Sequence, residues 1–85
     1  MTIVKRLNSN YNKHMIVYDP FWQTMKAKGE STYTLIHKYG IGSGTIDRIR
    51  KGEDITTQKL DDLCHIFHCK VEDIILFVDS PNSKH

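Results

Sequence analysis

Eighty-five residues suffice for one domain around one modest core, and they leave little room for a deep pocket. No apolar run approaches the roughly 20 residues that a membrane span needs, and the first residues lack the apolar centre of a secretory signal, so a cytoplasmic protein is expected. The net charge of +2 is uneven: residues 1–30 and 31–52 each carry +3, residues 53–80 carry −5, and Lys84 adds +1, a division suited to presenting one face to a polyanion.

Residues 1–14 are polar, with an asparagine- and serine-rich centre, and read as a flexible leader. A hairpin pairing residues 2–7 with residues 14–18 is the alternative, since both pieces hold β-branched residues around a turn-rich middle. The domain proper is expected over residues 15–80. Asp19-Pro20 starts the first helix, with Phe21, Trp22 and Met25 on its apolar side and Gly29 at its end. Ser31 caps a second helix carrying Leu35, Ile36 and Tyr39. Gly40 makes the turn, and Ile41 follows as a buried anchor.

Gly42 or Ser43 caps a third helix with Ile46 and Ile49 on one face, and Gly52 stops it. Thr56 or Thr57 caps a fourth, in which Leu60, Leu63, Cys64 and Phe67 follow the i, i+3, i+4, i+7 pattern of a buried stripe. Val71, Ile74, Ile75 and Val78 suggest a short fifth helix. The Ile74–Val78 region has more apolar side chains than one helix face can bury, which makes it a candidate contact between copies. Residues 81–85 form a polar tail.

Function concentrates in residues 31–52, which read as two short helices joined by a tight turn. Leu35, Tyr39, Ile41, Ile46 and Ile49 face inward and lock the pair. The outer face of the second helix of this pair then carries Ser43, Gly44, Thr45, Asp47, Arg48 and Lys51. A helix enters the major groove only if its outer face is slim and polar.

These residues resemble the Cro/cI-type helix-turn-helix family of phage and bacterial repressors. The resemblance spans about residues 16–79. It rests on Tyr18-Asp19, Phe21-Trp22, Ser31, Leu35, Gly40-Ile41, Thr45-Ile46, the run from Ile49 to Glu53, and Leu60, Leu63-Cys64, Cys69 and Asp73-Ile74. It implies an all-α, five-helix lambda-repressor-like bundle whose second and third helices form the motif. It also implies a DNA-binding regulator, a repressor that acts as a homodimer without a cofactor and reads double-stranded DNA with residues 43–50.

The family's phosphate-gripping position at the start of helix two is often glutamine; here it is Thr32, whose hydroxyl serves the same purpose. Its base-reading positions match Ser43, Gly44 and Arg48. Gly44 offers no side chain and admits close approach of the backbone instead. Ile36 stands where many members have alanine, and Glu30 replaces a usually apolar residue and is expected to be exposed. Arg48 is the candidate for a guanine edge, since arginine to guanine is the commonest specific contact. Arg50 and Lys51 near the end of helix three complement its dipole, a role compatible with phosphate contact, for which Lys51 is the better candidate. His37 and Lys38 are weaker candidates on the outside of helix two.

Three other readings compete. Cys64, His65, His68 and Cys69 have metal-ligand chemistry, but their i, i+4 pairs diverge around a helix whereas zinc needs four converging ligands. Cys64 lies on the core stripe, so both thiols are expected reduced and metal-free, as suits a reducing compartment. The glycines at positions 40, 42 and 44 follow a helix and lack the strand that a phosphate-binding loop requires, and no Ser/His/Asp arrangement or GxxxxGK motif suggests an enzyme. A protein-interaction module on the same fold is the functional alternative, favoured by Gly44 and the acidic third of the chain.

Overall fold

The computed structural model describes residues 15–78, so the leader and residues 79–85 lie outside the described part. Four α-helices carry the domain: α1 (Asp19–Ala27), α2 (Thr32–His37), α3 (Ser43–Lys51) and α4 (Thr57–Phe67). A two-stranded antiparallel sheet joins the two ends of the described chain, β1 (Ile16–Val17) pairing with β2 (Leu76–Phe77). The described part is mostly helical, and α2, the turn at Gly40 and α3 form a helix-turn-helix.

Local chemistry sets the helix ends. Pro20 enters the first turn of α1, where a missing N–H costs nothing. The Ser31 side chain accepts from the Thr34 amide, and the Thr34 hydroxyl accepts from the Ser31 amide, a reciprocal capping box. Thr56 caps α4 by accepting from the Lys59 amide at 3.1 Å. Gly40 follows α2 with φ +76°, a left-handed conformation in which a side chain would be strained, and Ile41 then donates its amide to the Leu35 carbonyl. Gly52 ends α3 in the same conformation.

The core consists of Tyr18, Phe21, Leu35, Ile41, Ile46, Ile49, Leu63, Phe67 and Ile74. Each main helix contributes its apolar stripe, and Ile41 fills the space beneath the α2–α3 turn, as its position after Gly40 predicts. Phe21 meets Trp22 edge-on at 4.8 Å and Phe67 at 6.0 Å, tying α1 to α4. Tyr39 is half-buried at the margin of the cluster, and Ile36 is accommodated there without displacing Leu35.

The last apolar run differs in form from the expected fifth helix. It is a single 3₁₀ turn, Val71–Asp73, followed by β2. Ile74 between them is fully buried, and the Thr24 hydroxyl of α1 donates to the Asp73 carbonyl at 2.7 Å. The turn is thereby held against α1, and the chain leaves it extended. Backbone pairing with β1 then satisfies Val78, whose amide donates to the Met15 carbonyl. The hairpin considered for the leader lies partly outside the described residues. Within them, Ile16 and Val17 pair with Phe77 and Leu76.

Candidate nucleic-acid interface

α3 is mounted by Ile46 and Ile49, both almost completely buried, so its opposite side is presented outward. Ser43, Gly44, Asp47, Arg48 and Lys51 are exposed, and Thr45 is half-buried at the edge of that face. Thr32 lies apart from them, half-buried in the first turn of α2. The structure thus gathers six of the seven sequence-derived residues on one helix and leaves Thr32 on its partner. A side chain at Gly44 would have open space, since a Cβ there meets nothing within 4 Å.

The charged groups on this face are already paired. The Lys51 ammonium stands 3.1 Å from the Asp47 carboxylate one turn earlier, and that hydrogen bond and charge, with help from Glu53, push the Lys51 pKa up. Lys51 therefore remains a cation throughout the neutral range. Arg48 is not a free cation either. Its Nε donates to the Asp54 carbonyl at 2.6 Å, and its Nη1 lies 3.3 Å from the Glu53 carboxylate. Both contacts come from the segment that leaves α3.

That segment is itself fixed. The Glu53 amide donates to the Arg48 carbonyl at 2.8 Å, and the buried Tyr18 hydroxyl donates to the Glu53 carbonyl at 2.7 Å. Burial, then the nearby Asp54 charge, raise the Tyr18 pKa, so the hydroxyl keeps the proton it donates. Beyond it, Thr45, Arg48, Asp54, Ile55, Thr56 and Lys59 line an open groove of about 350 Å³ between α3 and the start of α4. The groove combines hydroxyls, two cations and one acid beside the outer face of α3.

Sequence reasoning missed Glu53, Asp54 and Lys59. An N-cap threonine at Thr56 and a lysine three residues later were legible as a helix start, but nothing local marks them as neighbours of Arg48. Glu30, expected to be exposed, is half-buried. Its carboxylate accepts from the Thr34 hydroxyl at 2.8 Å and from the Tyr39 hydroxyl at 2.8 Å, bracing the ends of α2. His37 is exposed and stacks on the exposed Tyr33 ring at 4.2 Å, and the Lys38 ammonium lies 5.1 Å from the Tyr39 ring centre.

Cys64 and Cys69 are free and partly buried beside the core. Burial, then the facing Cys64 sulfur, push the Cys69 thiol up to about 11, and burial raises Cys64 too. Among the described residues no group of three or more His, Cys, Asp and Glu side chains is arranged to hold a metal ion. No helix among them is long and apolar enough to cross a membrane.

Residues 21–80 match the family described as the Cro/C1-type helix-turn-helix DNA-binding domain. Among solved structures, the crystal structure of the transcriptional regulator VanUg, form II, superposes with a TM-score of 0.71. The two chains are 20% identical, the match covers 88% of this chain and 100% of that one, and at that identity it speaks to the fold. A search of curated proteins gives no match.

Proposed function

Because the chain belongs to the Cro/C1-type helix-turn-helix DNA-binding family, we propose that it is a sequence-specific transcriptional repressor that inserts α3 into the major groove of double-stranded DNA. The observation that carries this reading is the outer face of α3. Ile46 and Ile49 anchor the helix in the core, and what remains outward is short or hydrogen-bonding along the whole helix. A bulky or apolar face there would neither fit the groove nor address base edges.

In this reading Ser43, Thr45 and Arg48 address bases, with Arg48 on a guanine. Gly44 lets the backbone approach, Asp47 orients Lys51, and Lys51 and the Thr32 hydroxyl contact phosphates. The protein binds and does no chemistry, needs no cofactor, and works in the cytoplasm as a homodimer, since one short helix reads only a few base pairs. An apolar patch suits the dimer: Ile16 and its cross-strand partner Phe77 are exposed, as are Leu76 and Val78. The same patch is the specific support for the second reading, a protein-interaction module in which the reading helix plays no part.

Selection of bound duplexes from a random DNA pool, followed by binding at several salt concentrations, tests the proposal. A recovered palindrome with affinity falling steeply with salt is the expected result. Absence of salt-dependent DNA binding overturns it in favour of the interaction module. Single, unpaired half-sites would refute the homodimer alone.

A further inference from the structure

Glu53 is an awkward residue beside a face that meets phosphates, because a carboxylate there repels the polyanion. Its surroundings account for it. Two consecutive residues hold one guanidinium, that of Arg48: the Glu53 carboxylate as an ion-pair partner at 3.3 Å and the Asp54 carbonyl as a hydrogen-bond acceptor at 2.6 Å. The segment carrying both is held from two sides, by the Arg48 carbonyl on the Glu53 amide and by the Tyr18 hydroxyl on the Glu53 carbonyl. Lys51, by contrast, pairs with Asp47 on its own helix.

A guanidinium has five N–H donors. The bond to the Asp54 carbonyl occupies Nε, and the Glu53 carboxylate draws Nη1 by charge. The Nη1 and Nη2 donors remain, enough for an end-on bidentate pair with guanine O6 and N7. The Arg48 side chain is 51% exposed. An arginine free in solution loses considerable rotamer entropy on being fixed against a base, and one already held loses less.

We infer that Glu53 is a positioning residue for base recognition, holding the guanidinium of Arg48 in the orientation that selects a guanine. This rests on the assignment of Arg48 as a base reader. Glu53 itself touches no DNA and acts only through Arg48.

The test compares the parent with Arg48→Ala, Glu53→Gln and the double variant in full-length protein. Each is measured for base preference in random-pool selection, for affinity on random duplex, and for melting temperature. Glu53→Gln is expected to lower the preference at the base pair lost in Arg48→Ala roughly two- to fivefold, the range an exposed ion pair supports. Its melting temperature should stay near the parent's and its binding to random duplex should be equal or tighter. In the Arg48→Ala background Glu53→Gln should change no base preference. If Arg48→Ala keeps the parental preference, the assignment of Arg48 fails and the inference falls with it. If Arg48→Ala loses it but Glu53→Gln keeps it, or tightens all sequences alike, the inference alone is overturned. An effect of Glu53→Gln that persists without Arg48 overturns it too.

Discussion

Replacing Gly44 by alanine separates what the glycine costs the fold from what it gives the interface. Gly44 is the second residue of α3, its backbone is outside the left-handed region, and a Cβ there meets nothing within 4 Å. No steric reason in the free protein requires glycine. Glycine in a helix interior is about 0.5–1 kcal/mol worse than alanine through backbone entropy, and a first-turn position belongs at the low end. Gly44→Ala should therefore stabilise by about 0.5 kcal/mol, raising the melting temperature by roughly 2–4 °C for a domain of this size. Affinity for the selected operator should fall about tenfold, or ~1.4 kcal/mol, because the added methyl holds the helix off the groove floor. Thermal melts followed by circular dichroism give the first quantity, and fluorescence anisotropy with a labelled duplex gives the second. A lower melting temperature would refute the packing argument. A higher one with unchanged DNA affinity would show that the backbone at position 44 makes no close approach.

Tyr18→Phe removes the hydroxyl that holds the Glu53 carbonyl and should cost about 1 kcal/mol, leaving a part-buried acceptor unpaired. A melting temperature indistinguishable from the parent's would show that water replaces that bond. Hydrogen bonds from Thr34, then Tyr39, hold the Glu30 pKa below its ordinary value of 4.5. Its depressed folded-state value means that its stabilising effect is present above about pH 4.5 and is lost as pH falls through the lowered value. The stability gap between the parent and Glu30→Gln should therefore shrink between pH 7 and pH 3 in acid titrations, and a constant gap would be the contrary result. Deleting residues 1–14 should leave the melting temperature within a few degrees, because every helix signal in the sequence lies after Met15. A fall of more than about 10 °C, well over 1 kcal/mol, would mean that the leader completes the core.

The helices were legible from the sequence because their signals are local. Ser31 and Thr56 are caps that bond amides three residues on, Gly40 and Gly52 take a backbone conformation open to few other residues, and the 3.6-residue period of Leu60, Leu63 and Phe67 names a buried face without reference to any partner. The outer face of α3 followed by subtraction once Ile46 and Ile49 were assigned inward. Whatever depends on distant segments meeting could not be read in this way. The run from Val71 to Val78 is too short for periodicity to separate helix from strand. Backbone pairing with Ile16 and Val17, some sixty residues earlier, decided for a turn and a strand. The partners of Arg48 were not legible because its spacing within the helix fixes only which way it leaves the axis. Its acceptors are supplied by the exit from α3, and that exit is held where it is by a tyrosine 35 residues upstream, a contact that exists only once the core has closed around Tyr18.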